Sequence, residues 1–249
     1  MVRVLATVAM LGLWACGSPP PPRIQAAVPA LEPARYRVTI SGRVASYDGP
    51  LEAAGVAELR RSRLRLTTLR IRSTGGDVDV GMDLAEWVLD HRLDVVVNDY
   101  CLSSCANYVF PAGRRKIIAP GGVVAWHGSA RQANMAEQLE AALADAKARD
   151  PSLDVNELRA TMAAYMKRVI ARQDAFYARI AVAECVTRIG QIRLGAPGLF
   201  TMSIADMRRF GIVADAGPAS ASDIAPRILK RTGVTFVAVG ELDPHTACQ

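Results

Sequence analysis

Aromatic residues are scarce in this chain, at 6% of 249 residues, and histidine occurs only 3 times. The 30 basic and 24 acidic residues leave a net charge of +6, spread thinly through runs such as Arg60, Arg61, Arg63, Arg65 and Arg114, Arg115, Lys116. No segment interleaves basic and aromatic side chains densely enough for a nucleic-acid surface, so that partner class is set aside. Cys101-x-x-x-Cys105 has neither a second cysteine pair nor a histidine cluster beside it, and no metal is expected there. Beyond the first apolar run no stretch reaches transmembrane length, and apart from one proline run there is no repeat or low-complexity segment. What is abundant is apolar residues, at 51%. That content builds a core and excludes wholesale disorder, in one large domain or two small ones.

The first residues bear on the compartment. Arg3 supplies a positive charge, and Val4 to Ala15 forms an apolar run too short to cross a bilayer as a helix. Leu13-Trp14-Ala15-Cys16-Gly17 then resembles a lipobox, at which a signal (residues 1–16) is removed and Cys16 diacylated. An ordinary secretory signal cut near the same place is the alternative. Ser18-Pro19-Pro20-Pro21-Pro22 opens a stiff spacer, and residues 17–35 are expected to be linker. The expectation is an exported protein, periplasmic or at the cell envelope, held to the membrane by a lipid anchor. In that compartment the remaining cysteines, Cys101, Cys105, Cys185 and Cys248, are disulfide candidates with three possible pairings.

Periodicity places the elements. Arg37 to Val44 alternates as a strand, Leu51 to Arg61 reads as helix, Leu66 to Arg72 as strand, and Gly81 to His91 as an amphipathic helix. Val95-Val96-Val97, Lys116-Ile117-Ile118 and Val123 to Trp126 are strand-like, with a helix begun at Ala106 to Phe110. This alternation predicts an α/β domain with mostly parallel strands. Long helices follow from Met135 to Ile189. The second opens at Asp154 with Glu157 three residues on, a capping-box spacing, and carries a Leu158, Met162, Tyr165, Met166, Val169 stripe expected to pack as core. Ile204 to Phe210 reads as a short helix, and Val234 to Val239 as a last strand in a Pro- and Ala-rich tail, residues 218–249.

Three segments carry chemistry. Thr74-Gly75-Gly76 sits between a strand and a helix, where adjacent glycines allow a sharp turn with unobstructed N–H groups. In Cys101-Leu102-Ser103-Ser104-Cys105-Ala106-Asn107-Tyr108 a serine lies between strand end and helix start, placed either to cap the helix or to be a nucleophile. His127 ends the apolar strand Val123-Val124-Ala125-Trp126 and precedes Gly128, as a core histidine or as a general base. His91 and His245 lie in less suggestive settings.

Together these segments resemble the ClpP protease and its relatives in the ClpP/crotonase superfamily. Ser73-Thr74-Gly75-Gly76 is similar to that family's oxyanion turn and Gly81-Met82 to its helix start. Ser104 through Gly113 aligns without a gap to the nucleophile helix, and Ala125-Trp126-His127 matches the strand ending in the catalytic histidine. The likeness extends from Thr39-Ile40-Ser41-Gly42 to Phe210-Gly211-Ile212, about residues 36–215. It implies a ClpP/crotonase-like spiral of β-α units over residues 36–217, here with a long helical extension after the histidine strand.

The resemblance further implies a serine hydrolase, of peptidase type, acting on a peptide or protein without a cofactor and as a homo-oligomer. Ser104 would be the nucleophile, His127 the base, and the amides of Gly75, Gly76 and Cys105 the oxyanion donors. The family's aspartate is replaced by Leu199, so another carboxylate, Asp174 or Glu184, is expected to orient His127. Placing Ser103 at the nucleophile position would need a one-residue insertion before Gly113, and Ser103 is instead expected to shape the turn. Cysteines flanking the serines are foreign to ClpP and resemble exported relatives with a cysteine–serine–serine–cysteine signature. The alternative to the hydrolase is a catalytically inactive binding or assembly module of the same fold.

Overall fold

The computed structural model describes residues 35–243 except 133 and 197. The signal segment, Cys16, the linker as far as residue 34, His245 and Cys248 lie outside the described residues.

The expected first strand is a hairpin. Gly42, at φ +57°, turns the chain between β1 (Arg37–Ser41) and β2 (Val44–Asp48), which pair antiparallel. After α1 (Ala53–Arg60), β3 (Thr68–Ser73) lies parallel to β2. The helix α2 (Val78–Asp90) begins earlier than the apolar pattern suggests, because Asp77 accepts the Val80 N–H at 3.0 Å and caps it. Its inner face, Met82, Leu84, Ala85 and Val88, is fully buried.

The central strand β4 (Asp94–Leu102) is longer than the three valines predict and serves two neighbours. Its first half, Val95–Val97, pairs in parallel with β5 (Lys116–Ile118), and its last, Tyr100–Leu102, with β6 (Val123–Ala125). Between them runs a helical segment, a π-helical turn (Cys105–Val109) continued by α3 (Phe110–Ala112). The result is the α/β fold with mostly parallel strands that the strand–helix alternation predicts, and those strands deliver the ends of β3, β4 and β6 to one place.

The helical extension is present as α4 (Met135–Arg149) and α5 (Val155–Ile180). Asp154 caps α5 by accepting from the Asn156 and Glu157 amides, as its position before Glu157 implies. Only the second half of α5 enters the core, through Val169, Gln173, Phe176 and Tyr177, whereas Tyr165 and Met166 are half-buried at its margin. Arg172 fastens α5 to α2 by bonding Asp79 at 3.3 Å, Asp83 at 2.6 Å and Glu86 at 2.9 Å. A 3₁₀ turn (Glu184–Thr187) and α6 (Ile189–Ile192) lead to β7 (Phe200–Thr201), which bridges to Trp126. After α7 (Ile204–Arg209) and α8 (Pro226–Thr232), the tail closes with β8 (Thr235–Phe236) parallel to β7. Among the described residues no helix is long and apolar enough to cross a membrane.

Candidate active site

The ends of β3, β4 and β6 converge on the segments singled out by their chemistry. Gly75 (φ +94°) and Gly76 (φ +155°) turn the chain between β3 and α2. A Cβ on Gly75 would lie 2.7 Å from the Leu102 carbonyl oxygen, and one on Gly76 2.5 Å from that of Leu51. Side chains are therefore excluded, and the turn packs directly on residues 102–104.

The two serines point apart. Ser103 has φ +54°, a left-handed conformation in which a non-glycine residue is held at a cost of about 1–3 kcal/mol by its surroundings. There it projects its hydroxyl to 2.7 Å from His127 Nε2. Ser104 is 2% exposed, and its Oγ accepts the Gly76 N–H at 2.8 Å while donating to the Gly76 carbonyl at 3.0 Å. The expected Ser104–His127 pair is thus not formed. The physical reason is the left-handed residue, which reverses the chain so that the first serine faces the β6 end and the second faces the glycine turn.

The helix after Ser104 is distorted in a way that bears on this register. Phe110 N–H reaches back five residues to the Cys105 carbonyl, which frees the Ala106 carbonyl to accept Trp126 Nε1–H at 3.2 Å. Pro111 has no N–H to give Asn107, and the Asn107 carbonyl instead accepts Tyr177 O–H at 2.7 Å. A π turn carries one residue more than an α turn and is frequent at functional sites.

Cys101 and Cys105 are joined by a disulfide, with Cα atoms 5.3 Å apart. It ties the end of β4 to the first helical turn across the two serines. Cys185 is also disulfide-bonded, and Cys248 lies outside the described residues. Metal-type clusters of three or more His, Cys, Asp or Glu are absent among the described residues.

His127 follows β6 and is exposed. Desolvation by the surrounding protein lowers its pKa below 6.5, partly offset by its own backbone. Among the described residues no carboxylate bonds the imidazole. Asp174, expected to do so, instead forms an ion pair with Arg131, Nε to Oδ1 2.9 Å, on the surface. Glu184 does not touch the ring either. Its Oε1 accepts from Ser129 Oγ, from Thr187 Oγ1 at 3.2 Å and from Gln173 Nε2 at 3.3 Å, and Oε2 accepts Arg188 Nε–H at 3.1 Å.

The oxyanion expectation also needs redistribution. The Gly76 amide is engaged by Ser104 and the Gly75 amide by Ser73 Oγ at 3.1 Å. The amides of Ser104 and Cys105, directly after Ser103, form no hydrogen bond among the described residues. Nearby, Asn107 Nδ2 donates to the Gly128 carbonyl at 3.0 Å, while Asn107 Oδ1 is buried without a donor among the described residues.

No known family's sequence profile matches the chain, and no curated protein matches it. Among solved structures it is similar to a protein of Streptomyces coelicolor A3(2) provisionally described as an enoyl-CoA hydratase. That match has 19% identity and TM-score 0.27 over 42% of this chain and 52% of the other. A protein of Rhodopseudomonas palustris CGA009 with the same description matches at 11% identity and TM-score 0.26, over 33% of this chain and 45% of the other. The chain thus spans about half the length of these proteins, at a likeness too slight to assign it an activity.

Proposed function

We propose that the protein is a serine hydrolase of peptidase type whose reacting pair is Ser103 and His127. The observation that carries this reading is the 2.7 Å approach of Ser103 Oγ to His127 Nε2, made by a serine in a left-handed conformation at a strand-to-helix turn. Ser103 Oγ attacks the substrate carbonyl and His127 Nε2 takes its proton. The amides of Ser104 and Cys105 are the donors left for the oxyanion. As the tetrahedral intermediate collapses, His127 passes the proton to the leaving amine, and an acyl group remains on Ser103 Oγ. Water, deprotonated by the same imidazole, then releases the acid and restores the serine.

The sequence supports placing this site outside the cytoplasm, on an exported chain lipidated at Cys16, and the Cys101–Cys105 bridge fits an oxidising compartment. A peptide or protein is the substrate class drawn from the family resemblance. The binding-module alternative is favoured by one observation, the imidazole without a carboxylate. A fluorophosphonate reagent discriminates between the two. A hydrolase is labelled in proportion to its concentration, and protection by peptides identifies the substrate class. A folded protein that stays unlabelled is a binding module.

A further inference from the structure

A buried carboxylate calls for donors around it, because an unpaired charge away from water costs several kcal/mol. The side chain of Glu184 is 14% exposed and is met by Ser129, Thr187, Gln173 and Arg188. Gln173, itself fully buried, also accepts Tyr108 O–H at 2.8 Å, which joins Glu184 to the helix of the two serines. None of these groups reaches a reacting atom. Through Ser129 and Thr187 they connect to the two residues after His127.

Ser129 donates its hydroxyl to Glu184 directly. Gly128 donates its N–H at 2.8 Å to the carbonyl of Thr187, whose own hydroxyl is held by Glu184. From the other side Asn107 Nδ2 holds the Gly128 carbonyl. Gly128 is at φ +126°, a backbone conformation that strains any residue with a side chain. The peptide between His127 and Gly128 is planar. Fixing its N–H toward Thr187 therefore aims its carbonyl the opposite way, and this carbonyl belongs to His127 itself. His127 Nε2 faces Ser103 Oγ at 2.7 Å, on the far side of the ring from Nδ1. With Nδ1 carrying the proton, Nε2 is the acceptor that Ser103 needs.

We infer that Glu184 is the positioning residue of His127, acting at one remove by holding Ser129 and, through Thr187, the 127–128 peptide from which the imidazole projects. This rests on the hydrolase reading of the site, but its geometry is testable without turnover. The charged groups packed about the turn are Glu184 and Arg188, paired at 3.1 Å, and Arg131 and Asp174, paired on the surface.

The test uses Glu184→Ala, Glu184→Gln and Ser129→Ala, each read by the pH profile of fluorophosphonate labelling and by an NMR titration of the His127 imidazole. In Glu184→Ala the labelling rate is expected to fall about 10- to 100-fold, as for a base displaced by a fraction of an ångström. The His127 titration midpoint and tautomer balance are expected to shift with it. Glu184→Gln keeps an acceptor for Ser129 and Thr187 and is expected to recover most of the rate. Ser129→Ala, which removes one link and is expected to fold even where Glu184→Ala does not, should show a smaller shift of the same sign. An unchanged His127 titration in Ser129→Ala, together with unchanged labelling in any Glu184→Ala that folds, overturns the inference. Should the wild-type protein not label, the hydrolase reading fails, and the ring titration alone decides whether Glu184 sets the histidine.

Discussion

The hydroxyl of Ser104 closes on both polar groups of Gly76, accepting its N–H at 2.8 Å and donating to its carbonyl at 3.0 Å. This residue, 2% exposed, is a clamp between the helix of the serines and the glycine turn. Ser104→Ala leaves the Gly76 amide and carbonyl without that partner in a buried setting, at a cost of about 1–3 kcal/mol. The expected result is a lowered denaturant midpoint with an unchanged slope, in a protein that still labels. A variant as stable as the wild type would show that the clamp contributes nothing.

The pH dependence follows from His127. Desolvation by neighbouring protein holds its pKa below the ordinary 6.5, and the base form is the neutral imidazole. Labelling is therefore expected to rise with pH, pass its midpoint below 6.5 and stay level above it. The same shift acts on stability with a definite sign. The unfolded chain binds this proton more tightly, so the contribution is fully present above 6.5 and is lost as pH falls through the folded value. A labelling midpoint well above 6.5 would contradict the site as described.

The Cys101–Cys105 bridge closes a loop with a sequence separation of 4. For so short a loop the chain-entropy estimate is about 2 kcal/mol. Its second consequence is local, since the bridge spans Ser103 and helps hold the left-handed turn. Replacing both cysteines by serine is expected to lower stability by about that amount. It is also expected to slow labelling more than tenfold, as Ser103 relaxes from His127. Lost stability with an undiminished labelling rate would mean that the bridge stabilises the fold without holding the serine.

Much of this arrangement is legible in the residues. The Gly75-Gly76 turn, the histidine at the end of an apolar strand, the α/β alternation and the spacing of Cys101 and Cys105 all mark features that the structure contains. The choice between adjacent serines is not legible. A gapless comparison favours Ser104, and Ser103 demands one extra residue before Gly113. The π turn at Cys105–Val109 accommodates a residue of that kind, and neither it nor a left-handed serine has a side-chain signature. Asp174 misleads for a different reason. Its helix position fits a triad partner, but Arg131, 43 residues earlier in a turn without periodicity, takes its carboxylate. The strand β2 is missed because the alternation from Arg37 to Val44 runs through Gly42, which is a hairpin turn.

The most direct measurement is the site of the fluorophosphonate adduct, mapped by peptide mass spectrometry in the wild type and compared with Ser103→Ala and Ser104→Ala. The account predicts the adduct on Ser103, labelling lost by about a thousandfold or more in Ser103→Ala, and labelling retained in Ser104→Ala. An adduct on Ser104, or labelling that survives the loss of Ser103, would contradict it.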